Sequence, residues 1–355
     1  MVQGGTLLRP LSAILAWVAS LYTMILLGSD NPTNSTATWV VAAIYMAATY
    51  LVNFYAPVLA GKLQVGSTLI KLVPLVLVAV VGTISGLLNG VTATNFVQAM
   101  DGIGSTGGTL ATAVVATAFA YEGWIAAVTI NSEIRDSKKN LPRALVIGTL
   151  IVFVVYVTYF LGIASVLPTD EIVTQGDNAV NIATTSLFGG TASTILTVFV
   201  IISCLGTLNG LVLATMRIPY SLAIRNQGPA PKWMSRVESH HHMPVNSARA
   251  AALLSVVYSV LWYCSINETF GRYIALDEMP IVLIYGLYLF LYVWYMRTFT
   301  EFGWIKRFVI PICAALGSLI ILYGGITNPS LGLYLGVSVV VILLGLLFYR
   351  QESAE

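Results

Sequence analysis

The chain has 355 residues, of which 57% are hydrophobic and 9% are charged, and its net charge is +2. Charged residues make up about a quarter of a typical soluble domain, so this composition excludes a soluble globular protein and indicates an integral membrane protein. The small net charge and the lack of a clustered basic surface argue against nucleic-acid binding.

Apolar runs that approach or reach the length of a bilayer span recur along the whole chain. A transmembrane helix needs about 20 predominantly apolar residues. The runs are residues 11–27, 39–59, 66–88, 110–130, 144–167, 192–213, 250–265, 281–295, 308–326 and 332–348. The sequence therefore predicts an all-α polytopic membrane protein with about ten transmembrane helices.

The loops between these runs alternate in charge. One set is basic, and the other is acidic with Arg272 as its only basic residue. Basic loops are retained in the cytoplasm, so both chain termini are placed there. The basic loops and tail hold Lys62, Arg135, Lys138, Lys139, Arg143, Arg217, Arg225, Lys232, Arg236, Arg249, Arg297, Lys306, Arg307 and Arg350.

The fourth run contains the most unusual stretch, residues 118–124, with a carboxylate at Glu122 and a glycine at Gly123. A charge in hydrocarbon must be neutralised, hydrated or paired, and a glycine loosens a helix. Two interpretations stay open at this point. The stretch is a broken helix that forms half of a solute site, with Glu122 as a candidate gating or proton site, or it is an ordinary kink with Glu122 near the interface.

Lys71 is the second intramembrane charge, about one and a half turns inside the third run and close to Pro74. Its ammonium can snorkel to the interface along the apolar stem. Alternatively, it can replace a bound cation or carry a coupling proton, because a desolvated lysine titrates readily. The residues alone leave both interpretations open.

The sixth run carries small residues at helical spacing, Ser203, Gly206 and Gly210. Such a stripe is typical of close helix packing in membranes. Thr207 and Asn209 add hydrogen-bonding groups, and Thr207 is a candidate cavity contact.

Motifs for catalysis, nucleotide binding and metal binding are missing from the sequence. It has no GxxxxGK loop and no HExxH or Ser/His/Asp arrangement. The run 240–242 consists of histidines without acidic or cysteine partners nearby, so a solvated loop is favoured over a metal site. The three cysteines fall in apolar runs without metal-type spacing. We therefore expect no enzyme activity, no cofactor and no metal. The cysteines are Cys204, Cys264 and Cys313.

Residues 119–124, followed by Glu133 and by the segment 138–144, resemble the sixth transmembrane helix and next cytoplasmic loop of amino-acid permeases. These permeases form the amino acid–polyamine–organocation superfamily, and the resemblance is nearest to its L-type branch.

Two further stretches carry the same resemblance. The passage from Asn53 through 60–64 to Lys71 is similar to the family's fourth-to-fifth helix passage, and residues 203–210 are similar to its eighth helix. The resemblance covers nearly the whole chain.

The family implies a LeuT-like fold, with two inverted repeats of five helices and two additional helices. Aligned this way, the first run is the family's third helix, and the family's first two helices have no counterpart in the chain. The resemblance thus implies one membrane transport domain over 1–355. Its parts are the remainder of the first repeat (1–106), the second repeat (107–297) and two C-terminal helices (298–355).

The resemblance also implies a substrate site. Phe119 would be a gating aromatic, and its main-chain carbonyl, with that of Ala120, would receive the substrate ammonium. Gly123 would lie at the helix break, and Thr207 would face the site. Lys71 would occupy the place where sodium-coupled relatives hold a cation.

We therefore expect a secondary amino-acid transporter that works by alternating access, with exchange or proton coupling. The expected partners are an amino acid and the lipid bilayer, without nucleic acid. No juxtamembrane cysteine predicts a disulfide-linked subunit. The expected location is the cell membrane, and the short tails favour a bacterial inner membrane. The alternative is a non-transporting truncated permease fragment, or one part of a split transporter. A channel is less supported, because no repeated selectivity filter is present.

Overall fold

A computed structural model describes residues 11–102, 117–118, 120–121, 134–238, 244–276, 278–326 and 330–347. These residues form helices and connecting turns, and no strand occurs among them. The predicted all-α class is thus confirmed. The helices are α1 (Leu11–Leu26), α2 (Thr36–Tyr55), α3 (Pro57–Ile70), α4 (Leu72–Asn89), α5 (Val91–Gly102), α6 (Ser137–Ala164), α7 (Thr169–Gln175), α8 (Ala179–Ala223), α9 (Pro231–Met234), α10 (Val245–Ile266), α11 (Met279–Thr298), α12 (Ile305–Ile326) and α13 (Leu331–Leu347).

Seven of these helices are long and apolar enough to cross a membrane, namely α2, α4, α6, α8, α10, α11 and α12. The shorter helices α1 and α13 are also apolar. Nine of the ten predicted runs therefore coincide with described helices, and most of the tenth, 110–130, lies outside the described residues. Large apolar side chains on α6, such as Phe153 and Phe160, are exposed. Such a surface suits contact with lipid, where the backbone is satisfied within the helix.

The second predicted run ends earlier than expected. Helix α2 begins after Ser35, whose hydroxyl accepts a hydrogen bond from the Thr38 amide (3.1 Å), and ends at Tyr55. Ala56 then leaves the helical region (φ −135°, ψ 59°), because a residue before proline disfavours the α conformation. Pro57 starts α3, which continues as a helix through residues 60–65, where the sequence analysis had placed a loop.

Helix α4 contains a π-helical turn, Val78–Gly82, that faces α6. Gly82 and Gly162 meet there so closely that a Cβ on either one would overlap the main chain of the other helix. Small residues allow this approach of two membrane helices, and their packing fixes α4 against α6.

Helix α8 is two helices in one continuous stretch. Gly189 adopts a non-helical, positive φ (φ 79°, ψ 167°), which glycine tolerates without a Cβ clash. The segment before Gly189 folds back onto the segment after it. The hydrogen bond between the hydroxyls of Thr184 and Ser193 (2.8 Å) joins the two segments. The predicted run 192–213 is the second arm, and the sequence analysis missed the first.

The chain divides into two compact units. The first comprises Met1–Ile14, Thr106–Ala120 and Leu211–Glu355, and the second comprises Leu15–Ser105 and Tyr121–Gly210.

Within the first unit, the Ser247 hydroxyl of α10 joins α8 through two hydrogen bonds. It donates to the Met216 carbonyl (2.6 Å) and accepts from the Tyr220 amide (3.0 Å). These two main-chain groups lie four residues apart and flank Pro219, so Ser247 holds α10 against α8 at this position. Helices α11 and α12 also pack together in this unit.

Candidate functional site

The second unit encloses a cavity of about 130 Å³. Its walls come from α1, the junction of α3 and α4, α6 and both arms of α8. The lining residues are Tyr22, Lys71, Pro74, Leu75, Val78, Tyr159, Val180, Asn181, Thr184, Leu196, Thr197, Val200 and Ser203.

Lys71 reaches this cavity because it lies at the junction of α3 and α4. Its amide still bonds to the Ser67 carbonyl (3.0 Å), so the backbone stays helical across the junction (φ −65°, ψ −22°). One turn later Pro74 is buried and has no amide proton to donate. The junction thus presents a half-buried ammonium at the start of α4, and Lys71 is the one charged residue in the described lining.

The two arms of α8 form a polar wall held by its own hydrogen bonds. The Ser193 hydroxyl lies 3.1 Å from the Asn181 Oδ1 and 2.8 Å from the Thr184 hydroxyl. Thr197 donates to the Ser193 carbonyl at 3.0 Å. Because these groups satisfy one another, they hold the folded-back arm in place and leave little capacity for a ligand.

A second polar cluster, formed by Asn53, Asn209 and Ala60, joins α2, α3 and α8. The Asn53 amide donates to the Asn209 Oδ1 at 2.7 Å, and the Asn209 amide donates to the Ala60 carbonyl at 3.0 Å. Both asparagine side chains are buried. Since polar groups in a membrane interior need partners, this pair fixes α8 beside the break between α2 and α3.

The residues predicted for the site are distributed as follows. Lys71 lines the cavity. Thr207 is half-buried, and its hydroxyl donates to the Ser203 carbonyl of its own helix (3.0 Å). Ala120 is exposed and belongs to the first compact unit. The other three predicted residues, Phe119, Glu122 and Gly123, lie outside the described residues.

The small-residue stripe of α8 packs as predicted at Gly206. A Cβ at that position would overlap the Ser67 side chain of α3. The sequence analysis missed Tyr22, Tyr159 and Asn181 as cavity residues. Their signal is weak, because isolated tyrosines and an asparagine near a span end are common in membrane helices.

The described residues hold no group of three or more histidine, cysteine or acidic side chains suited to a metal ion. The histidines at 240–242 lie outside them. Cys204, Cys264 and Cys313 are all described and unbridged.

The sequence also matches a family model described as amino acid permease, over residues 8–349. The chain belongs to the amino acid permease family. This membership confirms the resemblance seen in the sequence and, with the apolar helices, shows a multi-pass membrane protein.

Several curated transporters are similar to this member of the family. The serine/threonine exchanger SteT of Bacillus subtilis (strain 168) is 29% identical over 321 residues, which cover 87% of this chain and 68% of SteT. The mouse b(0,+)-type amino acid transporter 1 is 26% identical over 257 residues, or 72% of this chain and 50% of that protein. The human cystine/glutamate transporter is 26% identical over 205 residues, or 58% and 40%. The chain thus spans about two thirds of SteT and half or less of the other two relatives.

Proposed function

We propose that this permease is a secondary transporter that moves a small amino acid across the membrane by alternating access. The observation that carries the proposal is the match to the amino acid permease family over residues 8–349. The similarity to a serine/threonine exchanger supports exchange, with a small hydroxylated amino acid as substrate. No covalent bond is made or broken in such a cycle.

The proposed fold is LeuT-like, with two inverted repeats and two additional helices. Transporters of this kind bind substrates near the bilayer midplane at broken helices, where free main-chain groups meet the ligand. In this chain the stretch 118–124 would supply the break. The carbonyls of Phe119 and Ala120 would receive the substrate ammonium, with Gly123 at the break and Thr207 toward the site.

Lys71 supports exchange or proton coupling over sodium coupling. Its ammonium lines a cavity between membrane helices, and a fixed positive charge there would disfavour a bound sodium ion. An intramembrane lysine is by default a functional residue, because its desolvation is costly.

The proposed location is a bacterial inner membrane, with both termini in the cytoplasm. The basic loops support this orientation, and the similarity to a Bacillus subtilis exchanger supports the bacterial origin.

The test is exchange in liposomes that contain the purified chain. We expect uptake of labelled serine or threonine to rise when the same amino acid is loaded inside. Uptake driven instead by a pH gradient would indicate proton coupling, and dependence on sodium would contradict the assigned role of Lys71.

The Lys71→Ala variant should reduce uptake at least about tenfold, since one lost charge interaction costs more than 1.4 kcal/mol. Lys62→Ala is the matched control, because Lys62 is exposed on α3 and does not line the cavity. Equal uptake by both variants would remove Lys71 from the mechanism. No uptake by the unaltered chain, together with no substrate-dependent stabilisation, would favour the alternative of a non-transporting or split protein.

A further inference from the structure

The connection between α11 and α12 is ordered by aromatic side chains that pack on one another. The Phe299 ring centroid lies 5.0 Å from that of Tyr295 and 5.8 Å from that of Phe302. Trp294 packs edge-on against Phe299 at 5.6 Å. The Phe299 amide also donates to the Tyr295 carbonyl (3.1 Å). Residues 294–308 therefore form a defined α11–α12 hairpin at one end of two apolar spans.

This hairpin exposes large apolar side chains. Trp294, about one turn before the end of α11, is 54% exposed, and Trp304, immediately before α12, is 70% exposed. Ile305 is exposed as well. Tryptophan concentrates at membrane–water interfaces, because its amphipathic ring sits at the level of the lipid headgroups. Two exposed tryptophans at the ends of consecutive spans thus indicate that the hairpin lies at headgroup depth.

The same hairpin carries an excess of positive charge. Its cations are Arg297, Lys306 and Arg307, and its one acidic residue is Glu301. Cationic side chains close to a membrane surface attract anionic lipids. The cations and the exposed tryptophans together suit an anionic phospholipid better than a soluble acidic partner, because a lipid at the interface covers charged and apolar groups at once.

Arg307 is held in a fixed position within this hairpin. Its Nε donates to the Met296 carbonyl (2.8 Å), and its guanidinium carbon lies 4.9 Å from the centroid of the Phe308 ring. Met296 is in the last turn of α11, where carbonyls have no partner within the helix. The Met296 carbonyl takes one of the five N–H donors of the guanidinium. The donors that remain are arranged as a planar fork, which matches two oxygens of a phosphate.

We propose that the α11–α12 hairpin binds the phosphate of an anionic phospholipid. The Arg307 guanidinium donates to two phosphate oxygens, Arg297 and Lys306 add electrostatic attraction, and Trp294 and Trp304 lie beside the glycerol and acyl groups. In the proposed orientation this lipid belongs to the cytoplasmic leaflet. The inference goes beyond the proposed transport function, and lipid binding is measurable whether or not the chain exchanges amino acids.

The experiment uses the purified full chain in detergent micelles and dioleoyl phosphatidylglycerol as the probe. Native mass spectrometry measures the Kd of individual lipids, and the thermal unfolding midpoint measures stabilisation. We expect phosphatidylglycerol to bind more tightly than dioleoyl phosphatidylcholine, which has the same acyl chains without the net charge, and to raise the midpoint further. Inorganic phosphate at the same concentration should neither bind nor shift the midpoint.

Two variants of the hairpin test the contacts. Lys306→Gln removes one exposed charge and should raise the Kd for phosphatidylglycerol about fivefold. Arg307→Lys keeps the charge but loses the planar fork, so it should raise this Kd about threefold to tenfold. Lys232→Gln is the matched control, because Lys232 is an exposed cation on α9 of the same compact unit, outside the hairpin. Its Kd should equal that of the unaltered chain.

The following outcomes overturn the inference. Equal binding of phosphatidylglycerol and phosphatidylcholine would show that the hairpin does not recognise the lipid charge. Equal Kd values for Lys306→Gln and Lys232→Gln would place the lipid elsewhere on the protein. Displacement of phosphatidylglycerol by inorganic phosphate would identify a site for a soluble anion. An unchanged Kd in Arg307→Lys would remove the two-oxygen contact assigned to Arg307.

Discussion

At the scale of single residues, the buried pair Asn53 and Asn209 shows how polar side chains, whose burial costs free energy, are accommodated by hydrogen bonds in this membrane protein. Asn53 is fully buried and donates to both the Thr49 carbonyl and Asn209. The Asn209 amide in turn donates a hydrogen bond to the Ala60 carbonyl. The Asn53 Oδ1 has no hydrogen-bond partner among the described residues. The two hydrogen bonds that the Asn53 amide donates therefore hold this side chain in place, and one of them joins it to Asn209.

We expect Asn53→Ala and Asn209→Ala each to destabilise the protein by about 1–2 kcal/mol, since each removes the buried hydrogen bond between the two side chains. The double variant should lose less than the sum, with a coupling energy of about 0.6–1.7 kcal/mol. Thermal unfolding in detergent measures all three variants. Asn89→Ala is the control, because Asn89 is exposed and bonds only weakly to Ser85 (3.3 Å). Additive effects would show that the two side chains act independently.

Phe119 gives a second prediction at this scale, and it tests the proposed gate. Phe119→Ala should weaken amino-acid binding by about tenfold to a hundredfold, because an aromatic side chain that covers a ligand contributes about 1.5–3 kcal/mol. Binding by calorimetry and unfolding by heat are measured on the same preparation. A loss of stability as large as the loss of binding would instead indicate a packing role.

At the scale of elements, contact between α4 and α6 depends on two glycines and a π-helical turn. Gly82 and Gly162 allow the two backbones to approach, and the turn Val78–Gly82 places the close contact. The same part of α4 contributes Leu75 and Val78 to the cavity, and α6 contributes Tyr159. The helix contact therefore also sets the distance between two walls of the candidate site.

Two glycines of α6 provide a matched test of this contact. Gly162→Ala should destabilise the protein by about 1–3 kcal/mol, because the new methyl group overlaps the Val78 main chain. Gly148→Ala should be neutral or slightly stabilising, since open space surrounds Gly148 and alanine favours a helix. Unfolding by heat or denaturant in detergent compares them. Similar effects at both positions would mean that helix propensity, rather than contact with α4, dominates at Gly162.

At the scale of the whole molecule, the alternation of basic and acidic loops predicts how the chain crosses the membrane. Basic segments before α6 and after α8 should be cytoplasmic, and the acidic segment around α7 should lie outside. Nine of the ten runs coincide with described helices, and seven of those helices are long and apolar enough to cross a membrane.

Reporter fusions test this orientation. Alkaline phosphatase fused after Glu171 should be active, because the enzyme folds outside the cytoplasm, and the same reporter fused after Arg236 should be inactive. A green fluorescent protein at the C-terminus should fluoresce. The reverse pattern would place both termini outside and contradict the predicted orientation.

The amino-acid sequence alone determined the class, the family and most of the spans. Each long apolar run and each basic loop interacts with the bilayer independently of the others. The membrane-spanning segments and their orientation can therefore be predicted without knowing how the helices contact one another. Residues 119–124, followed by Glu133 and the segment 138–144, carried the resemblance to the permease family together with two further stretches, and Lys71 stood out as a charge within an apolar run.

Only the tertiary structure decided which side chains share a cavity. Tyr159 on α6, Ser203 on α8 and Lys71 between α3 and α4 line one space because glycines bring the helices together and Gly189 folds α8 back. Such contacts depend on helix rotation, kinks and close packing, and local hydrophobicity encodes none of these. The sequence thus determined that the chain crosses a membrane and belongs to the amino acid permease family, and the packing of its helices decided which side chains share a cavity with Lys71.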